Sequence, residues 1–273
     1  MSGRLQWGCG GVRHAVRGHE PQLDHREFRA VNLRSRHNEL PRTRCSGMRV
    51  NDDLSRPVVV HAAKQAWLPS PAPGVERRML FRIGDEKARA TSIVRYAPGS
   101  AFARHVHSGG EEFLVLDGVF QDEHGDYPVG AYVRNPPGTA HVPASRDGCT
   151  IFVRLWQFRA DDRAATVRQP GEGRELALRQ GAVSARLLFE DGHEDVRVET
   201  WRAGARVTVG NPHGLEFLVL SGSLNLDGEI LEPQSWGRLP AGMALNAELN
   251  AKGATVWMKF GPLLHPDVCA FDP

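Results

Sequence analysis

The sequence predicts an all-β protein built from two tandem copies of one module. Three observations carry that expectation. Apolar and β-branched runs are short and are separated by turn residues. An internal repeat crosses the centre of the chain. Little helical period is sustained, apart from one turn near His61–Trp67. Glycine (29) and proline (18) are plentiful among the 273 residues, which suits many strands and turns better than long helices.

In chain order, Thr91–Tyr96, Phe113–Leu116, Ala131–Arg134 and Ile151–Trp156 read as strands. The stretches "APGS", "SGG", "DEHGD", "NPPG" and "RDG" around them read as turns. Strands at such spacing predict a sandwich or a small barrel. The repeat then supplies the second half. "EEFLVLDG" (111–118) matches "LEFLVLSG" (215–222) at an offset of 104, and the same offset places "VRNPPGTAH" (133–141) on "GRLPAGMAL" (237–245). Outside this gapless stretch the offset is 105: Gly99 falls on Gly204, and "GCTIFVRLWQF" (148–158) on "GATVWMKFGPL" (253–263). "MLF" at 79–81 also resembles "LLF" at 187–189.

The first 47 residues differ in kind. They hold nine Arg, no Lys and four Asp or Glu, so the segment carries +5 of a net +2, and the remainder is −3. Poor hydrophobic periodicity makes this stretch read as disordered. Met48 opens "MRVNDDLSRPVVV", which reads as a natural start. The four cysteines, Cys9, Cys45, Cys149 and Cys269, are far apart and form no CxxC, a pattern that suits a reducing, cytoplasmic compartment. Cys149 and Cys269 read as ordinary buried residues. No apolar run approaches the roughly 20 residues of a membrane helix. Neither a membrane nor a nucleic acid is an expected partner; a small molecule is.

One cluster carries chemistry. His105 and His107 lie two residues apart and share a strand face. Glu111 follows a Gly109–Gly110 turn, and His141 follows "NPPGTA". Three imidazoles and one carboxylate suit Zn, Fe(II), Mn, Ni or Cu, and do not suit Ca or Mg. The repeat acts as an internal control. His105, His107, Glu111 and His141 fall on Val209, Asn211, Leu215 and Leu245, so the second copy lacks every ligand. Glu112 falls on Glu216 and Gly118 on Gly222, so these positions read as structural, and Glu111 rather than Glu112 reads as the ligand. His124 and His193 lie in loop compositions, and His213 has no partner. Tyr96, Phe113, Tyr132, Arg134, Phe152, Arg154 and Trp156 are candidates to line the cavity around the metal. Alternation alone does not say which side each faces.

The spacing Gly99-x5-His105-x-His107-x3-Glu111-x6-Gly118, followed by Gly130-x5-Pro136-x-Gly138-x2-His141, resembles the two cupin motifs. Ser145 stands where that family often carries Asn. Within cupins, the stretch from His105 to Phe158 resembles the cupin domain of ChrR-type anti-sigma factors and their stand-alone relatives. The resemblance implies two tandem jelly-roll barrels, with one divalent transition metal in the first, Zn or Fe(II) foremost. The implied division is a basic extension over 1–55, a metal-binding cupin over 56–160, a linker over 161–175 and a degenerate cupin over 176–273. Related proteins include metal-dependent dioxygenases that cleave diketones and hydroxyaryl ketones.

Three functions follow from the resemblance: a dioxygenase-like oxidoreductase, a regulator that binds a sigma factor, or a metal-dependent small-molecule binder. ChrR-like regulators hold the sigma factor through a preceding helical domain with its own zinc site, and residues 1–55 contain no HxxxCxxC. That departure favours the enzyme. The second module reads as a structural or dimerising partner, or as an empty pocket. A homodimer is implied by analogy only.

Overall fold

The computed structural model describes residues 47–270. The basic segment predicted over the first 47 residues, with Cys9 and Cys45, falls almost wholly outside them. Among the described residues there is no α-helix; a single 3-10 turn, Ala62–Lys64, occupies the place where a helical turn was expected. Among the described residues no helix is long and apolar enough to cross a membrane.

The repeat seen in the sequence is a repeat of topology. The first sheet runs in the order Val75–Ile83, Arg89–Tyr96, Cys149–Leu155, Glu111–Asp122, Tyr132–Asn135. The second runs Ala182–Glu190, Asp195–Trp201, Leu245–Phe260, Leu215–Leu226, Ser235–Leu239. All these pairings are antiparallel. Gly118 and Gly222 hold matching kinks in the two long strands. Each has a positive φ (+67° and +69°), and a Cβ at either would overlap the carbonyl oxygen of Gly148 or Gly253. Only glycine accepts both demands.

Each sheet is completed by a strand from ahead of the other module. Val58–His61 pairs with Ser235–Leu239 in the second sheet. Thr166–Arg168, inside the predicted linker, pairs with Tyr132–Arg134 in the first. The exchange is reciprocal: Tyr132 and Trp236 occupy equivalent positions, and each sits beside the strand that crosses over.

Alternation along the strands divides three cores. Phe113, Val115, Val133, Ile151 and Val153 fill the first barrel with Phe120 and Tyr127. Phe217, Val219, Leu245 and Met258 fill the second. The opposite faces of both sheets meet in a third core. Leu114, Tyr132 and Phe152 from one side pack with Leu218, Trp236 and Trp257 from the other. The Phe152 and Trp257 rings lie 5.0 Å apart, edge to face. Each large side chain buried there contributes about 1.5–3 kcal/mol. Cys149 and Cys269 are buried free thiols.

Candidate metal centre

The four predicted ligands converge at one end of the first barrel. His105 and His141 are directly paired across two short antiparallel strands. His107 is fixed by its backbone, whose N–H donates to Thr139 O at 2.8 Å and whose carbonyl accepts from Gly138 N at 3.0 Å. Glu111 opens the long strand opposite Asn135, whose Nδ2 donates to Glu111 Oε1 at 3.3 Å. One ligand atom from each of the four residues lies within 4.8 Å of the others. The three imidazole centroids are 4.6–5.1 Å apart. His107, Glu111 and His141 are buried, while His105 sits at the mouth.

Hydrogen bonds on the far ring nitrogens fix the tautomers. Thr139 Oγ1 spends its single proton on Pro136 O at 2.8 Å, so it can only accept from His107 Nδ1, 3.0 Å away. The Asp122 carboxylate accepts from His141 Nδ1 at 3.2 Å. It is itself held by Tyr127 Oη and the His124 backbone N–H. Protons on Nδ1 leave the Nε2 lone pairs of His107 and His141 facing Glu111 Oε1, at 3.4 and 3.6 Å. Both Nε2 atoms are buried without a hydrogen-bond partner. Each orphaned atom costs about 1–3 kcal/mol, and a cation at the centre removes that cost. Burial pushes the His107 pKa down, so it favours the neutral, ligating form. For His141, burial acts in the same sense, but the Asp122 hydrogen bond and the Glu111 charge outweigh it and raise the pKa. The donor set and its geometry fit a divalent transition metal.

The second module shows what the site becomes without ligands. Val209 pairs with Leu245 just as His105 pairs with His141. Val209, Leu215 and Leu245 are fully buried in the second barrel's core. Asn211, at the His107 position, donates to three backbone carbonyls.

Glu112 points the other way from Glu111 and anchors the contact between modules. It accepts from Tyr132 Oη at 2.5 Å, Arg154 at 2.7 Å and Lys259 at 3.1 Å. Arg154 also lies 2.8 Å from Glu216, and Lys259 lies 2.7 Å from Glu194. Arg154 and Lys259 are repeat equivalents, so each module's glutamate pairs with the other module's cation. This explains why Glu216 persists where no metal ligand does.

A cavity of about 310 Å³ adjoins His105 and Glu111. Of the seven residues predicted to surround the metal, only Tyr96 lines it. Phe113 points inward but packs in the barrel core beside Phe120. Tyr132 and Phe152 face the core between modules instead, and Arg134 and Arg154 face the charge network there. Trp156 leaves the strand with φ 60° and donates to Ala270 O. Strand parity decides these outcomes. Residues 111, 113 and 115 face the barrel interior, which sends the neighbours of 112 and 114 to the interface.

Asp122 and Thr139, which hydrogen-bond His141 and His107, are residues the sequence reading missed. A signal existed, because in the gapless register they fall on Leu226 and Met243 and are lost with the ligands. His124 and His193 are exposed, as their loop composition predicts, and His213 is exposed as well.

Comparison with known proteins agrees with the fold. Residues 55–159 match the ChrR Cupin-like domain family. No curated protein sequence matches the chain. Among solved structures, a "putative dioxygenase" of Nostoc punctiforme superposes with a TM-score of 0.61 at 13% identity, covering 80% of this chain and 88% of that one. The pirin YhhW of Escherichia coli, solved with nickel(II), gives 0.57 at 11% identity, covering 76% and 100%. At such identities the likeness is one of fold. Residues 55–159 match the ChrR cupin-like domain and form the first of two tandem cupin barrels.

Proposed function

We propose that the chain is a metal-dependent oxidoreductase of dioxygenase type, acting on a small organic molecule in the cavity beside His105 and Glu111. The observation that carries this reading is the pair of orphaned Nε2 atoms on His107 and His141, set against an enterable cavity. His105, His107, Glu111 and His141 would hold the metal. When bound, an iron ion would supply Lewis acidity and the electrons needed to engage O2.

The chain's own residues do the rest. Asp122 and Thr139 lock the imidazole orientations, and Asn135 holds Glu111. Phe102, Val94 and Val153 form an apolar wall that limits water. The Tyr96 hydroxyl, kept protonated by burial and by the Glu111 charge, stays a hydrogen-bond donor in the cavity. For a 1,3-diketone the balanced reaction consumes one O2. One carbon–carbon bond breaks, and each fragment gains one oxygen atom, giving a carboxylic acid and a 1,2-dicarbonyl.

The test is purification without oxygen or added metal, followed by elemental analysis and O2 uptake with acetylacetone and a hydroxyacetophenone. Near one iron per chain and uptake with either compound support the reading. Zinc without uptake supports the second reading, a sensor that binds a sigma factor, which the family match at residues 55–159 favours. A pull-down with a sigma factor as bait separates the two.

A further inference from the structure

We propose that the cavity beside the metal centre selects a small organic anion, anchored by the Arg82 guanidinium with Arg77 on the same wall. This substrate class rests on the metal reading above, and its test is separable from it.

A β-bulge places the cation. In the strand Val75–Ile83, the pairing with Arg89–Tyr96 shifts between Met79 and Phe81. The shift reverses the alternation, so Arg82 faces the cavity on the side that Arg77 already faces. Arg82 is only 3% exposed. Its Nε donates to Gly84 O at 3.0 Å, and its Nη2 donates to Asp85 O. Both acceptors are neutral carbonyls. Among the described residues no carboxylate forms an ion pair with Arg82. Arg77 differs: it forks onto Glu86 at 2.9 and 3.1 Å, and its Nε is buried without an acceptor.

The charges that line the cavity therefore leave a surplus. Glu86 answers Arg77, and Glu111 serves the metal. Arg82 has no carboxylate in direct contact among the described residues; Glu86 and Asp85 act on it only through space. Burial disfavours the charge of a guanidinium that lacks a direct ion pair, and an entering anion offsets that cost. Its planar fork suits a carboxylate.

The second module again acts as a control. Its equivalent strand, Ala182–Glu190, carries the same bulge between Leu187 and Phe189. In that register Arg82 falls on Glu190 and Arg77 on Ala185. Glu190 is exposed and pairs with Arg174. The two arginines are thus present with the metal ligands and absent without them. The size of the cavity limits the guest. A volume of about 310 Å³ holds roughly ten waters, the small end of ligand pockets. Val94, Phe102 and Val153 would cover a short apolar body.

The experiment is calorimetric titration of the full chain with monocarboxylates from acetate to benzoate, each beside its carboxamide. Wild type is compared, with and without chelator stripping, to Arg82→Gln and Arg82→Lys. The expected result is a preference of about tenfold or more for at least one carboxylate over its amide, as a charged hydrogen bond implies. That preference survives metal stripping, is erased by Arg82→Gln and is partly kept by Arg82→Lys. A preference that vanishes on stripping overturns the proposal, because the metal would then be the anchor. So does the absence of any preference. If Arg82→Gln does not fold, the wild-type comparison with and without metal decides. A protein that never binds metal but keeps the preference sinks the metal reading and leaves this one standing.

Discussion

Replacing Glu112 with Gln removes one charge from the contact between modules and leaves the shape. Glu112 is 2% exposed and accepts from Tyr132, Arg154 and Lys259. Burial opposes its ionisation, but Lys259 and Arg154 more than offset that and bring its pKa down from 4.5 to about 2. A shift of that size corresponds to about 3 kcal/mol, at about 1.4 kcal/mol for each unit. Breaking a buried ion pair by deleting one partner costs a similar 3–5 kcal/mol or so. For a folded chain of this size, that lowers Tm by roughly 6–12 °C. The assay is thermal unfolding by circular dichroism at neutral pH, with metal content measured on the same samples. Metal should be unchanged, because Glu112 faces away from the ligands. The pH dependence has a definite sign. A depressed carboxylate pKa stabilises the fold fully above about 4.5 and loses that contribution as pH falls towards 2. The gap between wild type and Glu112→Gln should close across that window. A Tm change under about 2 °C, or loss of metal, would show that Glu112 does not carry the contact between modules in this way.

Other outcomes follow from the same geometry. Asp122→Asn should weaken metal binding by about 10–100-fold, read by competition with a chelator, while Tm of the metal-free protein moves little. Phe152→Ala should cost about 3–5 kcal/mol in denaturant unfolding, because it opens the core against Trp257, and should leave the metal stoichiometry intact. Gly118→Ala should fail to fold stably, since its φ of +67° and the Gly148 carbonyl both oppose a side chain; a Tm near that of wild type would contradict this.

The ligands were legible because their spacing survives any choice of strand partner. His105 and His107 share a face at period two, and the second copy marks the same four positions by losing them. The tandem fold was legible for a related reason: similar turns and apolar runs recur at an offset of 104–105. The cavity wall was not. Strands such as Cys149–Leu155 are buried on both faces, one in the barrel and one between modules, so they read as continuous apolar runs. Without visible alternation, Phe152 and Arg154 could not be assigned a side. Arg82 was hidden by a bulge that reverses parity after Met79, and bulges leave no residue signature here. The reciprocal strand exchange was hidden because Val58–His61 and Thr166–Arg168 lie outside the gapless repeat.

The metal centre is tested most directly by the metal content of the full chain, wild type beside Glu111→Gln and Glu112→Gln, purified without oxygen or added metal. Wild type and Glu112→Gln should each carry close to one transition metal per chain, and Glu111→Gln should lose at least about tenfold. Metal retained in Glu111→Gln and lost in Glu112→Gln, or two metals per chain, would contradict this assignment.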